Sequence, residues 1–381
     1  MKINIISSTR ADFGLLKNLI ARLKKEKSFS TSTIIGGTHF AKRFDYTYKE
    51  IIKNKIKINN KIVFKSIPDS ILGISKVFSK SLIKSVEIFK KDKPDLLIVL
   101  GDRYEILASV IAANLSKIPV AHIHGGEVTE GVIDDGFRHS ITKMSHIHFV
   151  ANSIYKKRVI QLGENKKNIF TVGGPGIDSI MSTKLIDKKT LQKKFKVEFQ
   201  KKNYLVNFHP ETSNDASIKN QLNEIFSAFK ILSDCCFIFT MPGADYQNSI
   251  IEKEIKNFVT KNKKAYFFKS LGQLNYFSFL KVVNAVIGNS SSGILEAPYF
   301  KKPTINLGDR QNGRLMSPSI ISIKIKKNNI IKALEKIEKK SFKKRIKYYK
   351  LYGNKGASGK IIKILKNINI KKIFKKRFYD I

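Results

Sequence analysis

"DLLIVLGDRYEILASVIAANLSKIPVAHIHGGE", residues 95–127, decides the fold. Two apolar runs, "DLLIVLG" (95–101) and "IPVAHI" (118–123), flank a segment, "YEILASVIAANL", whose apolar residues fall three and four apart. A run that is apolar on both faces reads as a strand buried in a parallel sheet, and the segment between reads as its crossover helix. The same rhythm extends outward. Further strand candidates are "INIIS" (3–7), "STIIG" (32–36), "HIHFVA" (146–151) and "IFTVGG" (169–174). After a lysine-rich stretch the pattern restarts with "YLVNFHP" (204–210), "CCFIFTMPG" (235–243), "AYFFKS" (265–270), "VVNAVIGNSSSG" (282–293) and "PTINLG" (303–308). The expected fold class is α/β: two doubly wound, Rossmann-like domains facing each other across a cleft. The expected boundaries are 1–178 for an N-terminal domain and 179–355 for a C-terminal nucleotide-binding domain. A basic helix, 356–381, packs back on the first.

Bulk properties fit this division. The chain has 381 residues, too many for one ordinary core, and 42% are hydrophobic, too many for a disordered chain. No apolar run reaches the length of a membrane span, and "MKINIISSTRADFG" turns polar too soon for a secretory leader, so a cytoplasmic location is expected. Cys235 and Cys236 are adjacent in an apolar run and read as core residues, not a disulfide. The net charge is +42, yet only ten of the 72 basic residues are arginine, and the lysines are dispersed through the chain. Specific nucleic-acid readers lean on arginine forks and stacking aromatics, so neither nucleic acid nor membrane is the expected partner. Attraction of anionic small molecules fits the charge better.

In doubly wound sheets ligands bind beyond the carboxyl ends of the strands, so the loops there carry the site candidates. The first loop, "SSTRADFG" (7–14), lacks the G-x-G-x-x-G of a dinucleotide site. It offers Arg10 at a helix start with hydroxyls at Ser7, Ser8 and Thr9, either a phosphate site or a capped helix with a surface arginine. In "GDRYE" (101–105), Asp102 is either the N-cap of the next helix or a catalytic carboxylate. "HIHGGEVTEGVIDDGFRHS" (122–140) gathers Glu127, Glu130, Asp134 and Asp135 beside two glycines. His122 and His124, two apart, are expected to face the same way; two ligands are too few for a dedicated metal site. Arg138 lies about a turn into the helix that the Asp pair opens. In the second half, "NFHPE" puts His209 at a strand end. "GNSSSGILEAP" (288–298) sets Asn289, Ser290, Ser291 and Ser292 before a helix containing Glu296, a seat for a diphosphate with a carboxylate for ribose hydroxyls, or simple serine capping. "NLGDRQNGR" adds Arg310 and Arg314, phosphate ligands or surface charge. Carboxylates in one half and a nucleotide seat in the other suit cleavage of a sugar–diphosphate bond.

"SSTRADFG", "GDRYE", "AHIHGGEVTEGVIDDGFRHSITKMSH", "NFHPET", "GNSSSGILEAP" and "INLGDRQNGR" together resemble the hydrolysing UDP-N-acetylglucosamine 2-epimerases of sialic and nonulosonic acid biosynthesis. The resemblance runs from the first strand to about residue 315. It implies a GT-B-like fold, a homodimer, and neither metal nor redox cofactor. By motif, it implies that Asp102, Glu127 and the pair Asp134 and Asp135 are the catalytic carboxylates, with His209 near the diphosphate. Arg10, Ser290, Ser291 and Glu296 correspond to nucleotide contacts; Arg138, Asn289 and Arg310 join them as binding candidates. The implied reaction is UDP-N-acetylglucosamine plus water to N-acetylmannosamine and UDP, through a glycal. The alternatives are the same chemistry on UDP-2,4-diacetamido-2,4,6-trideoxyglucose or GDP-N-acetylglucosamine. A GT-B glycosyltransferase and a nucleic-acid-binding protein are the readings from other classes.

Overall fold

The computed structural model describes residues 1–64, 70–211, 217–242, 247–346 and 351–381. Gly243 and Thr212, which fall in quoted motifs, and 347–350, near the end of the expected 179–355 domain, lie outside them. The chain divides into two compact units. One comprises Met1–Val128, Ile133–Ser182 and Tyr352–Ile381; the other comprises Thr129–Val132 and Thr183–Leu351.

The first unit is built on β1 (Lys2–Ser7), β2 (Ser30–Ile35), β3 (Asn60–Lys61), β4 (Leu96–Leu100), β5 (Val120–Ile123), β6 (Ile147–Val150) and β7 (Ile169–Thr171). They pair in parallel, in the order β3-β2-β1-β4-β5-β6-β7. The order reverses between β1 and β4, the switch point at which doubly wound sheets open a ligand crevice. Every residue of β4 is at most 4% exposed, as a strand covered by helices on both faces requires. Helix Ile71–Asp92 turns Gly73, Val77, Ser81, Ser85 and Phe89 inward, every fourth residue. Small residues on that stripe let it press close to helix Tyr104–Leu115, where the Ser85 and Ser109 hydroxyls meet at 2.9 Å.

The second unit contains β8 (Lys202–Asn207), β9 (Cys235–Thr240), β10 (Ala265–Phe268), β11 (Ala285–Gly288), β12 (Thr304–Leu307) and β13 (Ile320–Ile323). The order is β10-β9-β8-β11-β12-β13, all parallel, with its switch point between β8 and β11. Its core is rich in phenylalanine. Phe229 stacks on Phe237 with centroids 4.2 Å apart, and Phe226 on Phe258 at 4.5 Å. Cys235 and Cys236 are buried free thiols in β9, and burial pushes that of Cys236 up to about 12.

Both sheets are the doubly wound α/β architecture that the βα rhythm announces. The periodicity passes over β3, two residues long, and β13, none of whose four residues is fully buried. The chain leaves the first unit after Ser182 rather than 178. Helix Pro175–Ser182 is held there by Ser179, whose hydroxyl donates to the Gly14 carbonyl at 3.1 Å. It returns at Tyr352 rather than 356: the Tyr155 hydroxyl donates to that of Tyr352 at 3.1 Å, and the Gly174 N–H to the Tyr352 carbonyl at 2.8 Å. Helix Ala357–Asn367 starts against Asp178, whose carboxylate accepts from the N–H groups of Gly356 and Ser358. That pairing satisfies two donors a helix start leaves open. Farther on, Lys376 reaches Glu164 at 2.7 Å and donates to the Ser145 carbonyl.

Replacing Phe229 with alanine removes a ring that packs on Phe237 and Phe239 of β9 and on Phe258 of helix Asn248–Thr260. A loss of roughly 3–5 kcal/mol is expected, read as a lowered urea midpoint with an unchanged native far-ultraviolet spectrum.

Candidate active site

In the first unit the candidates lie at the carboxyl ends of β1, β4 and β5. The loop after β1 is a capping structure. Thr9 is the N-cap of helix Arg10–Lys25, and it forms a reciprocal capping box with Asp12. Asp12 accepts from the Ser8 N–H at 3.2 Å, the Ser8 hydroxyl at 2.9 Å and the Thr9 N–H at 3.0 Å. Ser7 is buried and its hydroxyl meets His39 Nε2 at 3.0 Å. The Ser7, Ser8 and Thr9 hydroxyls are therefore engaged in folding the loop, the capped-helix alternative of the two that the sequence offers. Arg10 opens the helix and is half-buried. Burial pushes the Asp12 carboxyl above its usual range despite the donors around it.

At the end of β4, Gly101 takes a left-handed conformation (φ 81°) that suits glycine. Asp102 is not the cap of helix Tyr104–Leu115; Arg103 holds that position and makes no side-chain capping bond. Asp102 instead pairs with Arg138, whose other Nη lies 3.2 Å from Asp135. Arg138 is 1% exposed, so its guanidinium is a buried charge held by two carboxylates. A second arginine mirrors this: Arg103 lies 3.7 Å from Asp134 and 3.5 Å from Glu105. Glu105 is 2% exposed, and burial raises its carboxyl above the usual range.

At the end of β5 the strand stops at Ile123. His124 has φ 68°, so the two-residue alternation expected for His122 and His124 ends between them. Each has its own partner. His124 Nδ1 sits 2.5 Å from Glu127 Oε1, closing a turn across Gly125 and Gly126. Gly126 has φ 77°, and a Cβ there would lie 2.4 Å from the Tyr155 carbonyl oxygen. Asp134 and Asp135 open helix Asp134–Met144, as the sequence suggests. Glu130 is exposed, and its N–H donates to the Asn312 carbonyl within the second unit.

In the second unit, the ends of β8 and β11 are laced together by Asn289. Its side chain accepts from the His209 N–H at 2.7 Å and donates to the His209 carbonyl at 2.9 Å. Its own carbonyl accepts from Arg310 at 3.0 Å and Gln311 at 2.8 Å. Gly288 (φ 139°) permits the close approach; a Cβ there would lie 2.0 Å from the Asn207 carbonyl oxygen. The serine turn leads into a single helical turn, Ser292–Leu295, whose N-cap Ser291 makes no side-chain capping bond. The Ser292 hydroxyl donates to Glu296 at 2.6 Å and meets the Tyr276 hydroxyl at 2.5 Å. Glu296 thus follows that turn rather than lying inside a longer helix. Glu211 accepts from the N–H groups of Asp309 and Arg310, pinning the loop that carries Arg310. Each unit by itself therefore collects its candidates at its switch point. Glu105, His39, Glu211 and Tyr276 belong to the same networks but were not singled out from sequence. Glu105 and Glu211 lie inside quoted motifs; His39 and Tyr276 have no local signal.

A family model described as UDP-N-acetylglucosamine 2-epimerase matches residues 21–366. The chain is 41% identical to a GDP/UDP-N,N'-diacetylbacillosamine 2-epimerase (hydrolyzing) of Campylobacter jejuni, over 100% of this chain and 99% of that one. It is 35% identical to polysialic acid biosynthesis protein P7 of Escherichia coli, over 87% and 85%. A UDP-N,N'-diacetylbacillosamine 2-epimerase (hydrolyzing) of Legionella pneumophila is 32% identical over 96% of each. The fold superposes on the crystal structure of a UDP-GlcNAc 2-epimerase from Neisseria meningitidis bound to UDP-GlcNAc, with a TM-score of 0.82 at 20% identity, covering 96% and 100% of the two chains.

His39, fully buried between the Ser7 and Thr47 hydroxyls, is pushed down to about 3 by burial. The unfolded chain takes up a proton near pH 6.5 that the folded ring refuses, so this contribution is complete above that pH and lost as pH falls. His39→Gln should shrink the stability difference between pH 7 and pH 5 by about 2 kcal/mol, measured by urea melts of both proteins at both pH values.

Proposed function

The chain belongs to the UDP-N-acetylglucosamine 2-epimerase family, among its hydrolysing members, and on that premise we propose that its substrate is a nucleotide-linked 2,4-diacetamido-2,4,6-trideoxyglucose. Two relatives that span nearly the whole chain carry that sugar, N,N'-diacetylbacillosamine, in their names. That support ranks it above UDP-N-acetylglucosamine, the substrate expected from motifs alone. The products are the free 2-epimer and the nucleoside diphosphate.

One observation carries the reaction type: Asp102 and Glu127 leave neighbouring, paired strands at the same edge of one sheet. Leu100 of β4 and Ile123 of β5 are register partners, and the two acids follow within four residues. The hydrogen at C2 of an amino sugar is not acidic, so its removal needs a placed base and a good leaving group together. In this reading one acid takes the C2 proton as the C1–O bond to the diphosphate breaks, giving a C1–C2 glycal. The other acid then protonates C2 from the opposite face, and water adds at C1. Asp135 tunes Asp102 through the shared Arg138, and Asp134 is steadied by Arg103. In the second unit Asn289, Ser290, Ser291 and Arg310, with His209, are assigned to the diphosphate, where donors stabilise the charge that develops on departure; Arg10 is assigned as a nucleotide contact of the first unit. Glu296 is assigned to the ribose hydroxyls.

Incubation in heavy water with the UDP- and GDP-linked diacetamido sugars and with UDP-N-acetylglucosamine tests this directly. Expected is a free 2-epimer carrying one deuterium at C2, formed fastest from a diacetamido substrate. Release of sugar without deuterium, or no release from any of them, overturns the reading. Glu127→Gln should lower kcat by about 10²–10⁴-fold while UDP binding persists.

A further inference from the structure

We infer that His122 is a positioning residue, a single imidazole that sets where the loops carrying Asp102 and Glu127 stand relative to each other. The inference rests on the roles proposed for those two acids. His122 is the third residue of β5 and is 0% exposed. Its Nε2 lies 2.8 Å from the carbonyl oxygen of Gly101, the residue before Asp102. Its Nδ1 lies 3.1 Å from the Thr142 hydroxyl. Thr142 stands one turn beyond Arg138 on helix Asp134–Met144, and Arg138 grips Asp102. The glycine turn before Glu127 passes over the same ring: a Cβ on Gly125 would lie 3.0 Å from His122 Nδ1 and 2.9 Å from the Thr142 hydroxyl oxygen. The imidazole therefore bonds to the Asp102 loop and to the helix that supplies Arg138, and the Glu127 loop passes too close over it for a side chain at Gly125.

Hydrogen-bond chemistry dictates the tautomer. A carbonyl can only accept, so Nε2 carries the hydrogen and donates to Gly101. In the neutral ring Nδ1 then accepts, and the single hydrogen of the Thr142 hydroxyl is shared between Nδ1 at 3.1 Å and the Arg138 carbonyl at 3.0 Å. Burial pushes the ring down to about 3, so it stays neutral near pH 7 and carries no proton into the reaction. Its effect is geometric. Gly101 is in the left-handed region, and its own N–H donates to the Ile123 carbonyl at 3.1 Å. The imidazole secures the next peptide, the one joining Gly101 to Asp102, through the Gly101 carbonyl. Without it the half-buried Gly101 carbonyl loses its partner, and the turn presenting Asp102 relaxes.

The test compares full-length wild type with His122→Leu, which removes the donor, and His122→Gln, whose amide still reaches the Gly101 carbonyl. With the deuterium-incorporating substrate, His122→Leu should lower kcat about 10²-fold, the cost of a small misplacement of reacting groups. KM and UDP affinity should move less than about threefold. His122→Gln should restore most of the loss. A second readout needs no turnover: slowly exchanging Arg138 guanidinium proton resonances should persist in wild type and His122→Gln and broaden in His122→Leu. Thr142→Val and Thr142→Ser repeat the contrast from the other end of the ring should His122→Leu fail to fold. Equal kcat in His122→Leu, or a glutamine variant as impaired as the leucine one, overturns the inference. An inactive wild type with the guanidinium contrast intact would instead count against the substrate reading alone.

Discussion

A guanidinium with 1% exposure has to be neutralised where it lies. Arg138 meets that demand with Asp102 from the turn after β4 and Asp135 from its own helix. The chain of constraint runs outward from there. A buried cation fixes where one acid stands and forces helix Asp134–Met144 to dock with its N-terminal turn beside the β4 edge. Removing either carboxylate leaves charge uncompensated, which is far costlier than losing a surface pair. Arg103 repeats the device with Asp134 and Glu105. Two arginines and four carboxylates thus form a lattice under one sheet edge, explaining why a chain with net charge +42 gathers acids here.

The second unit solves a different problem with neutral groups. The loops after its two central strands, β8 and β11, must be kept in place beyond the last ladder bonds. Asn289 does this by pairing with both backbone groups of His209, much as a strand neighbour would. Glu211 does the same for the 309–310 backbone. Side chains that substitute for a missing ladder hold the loops that carry the serine and arginine candidates. The residues that hold the loops and those proposed to touch substrate are neighbours in sequence, so a motif reading captures both without separating them.

Much of this was legible in the chain itself. The alternation of apolar runs with helical spacing announced two parallel sheets, because strands covered on both faces have few polar residues. The strand-end placement of Asp102, Glu127, His209 and Asn289 followed from topology alone. Roles within the loops were less legible. The Ser7, Ser8 and Thr9 hydroxyls suggest a phosphate seat, but they close a turn with Asp12 and His39, and His39 lies some thirty residues downstream. His122 and His124 differ in role because the strand ends between them, and only the backbone conformation at φ 68° reveals that.

Local spacing and apolar pattern determined the fold class and which strand-end loops carry the candidate residues, since these depend on periodicity and turn residues close together in the chain. Tertiary structure alone decided the partners. Arg138 finds an acid 36 residues away, Glu211 a backbone 98 residues on, and Asp178 caps a helix 180 residues on. Such pairings arise from burial, which compels each desolvated charge to find its complement wherever packing brings one. No local pattern encodes that choice.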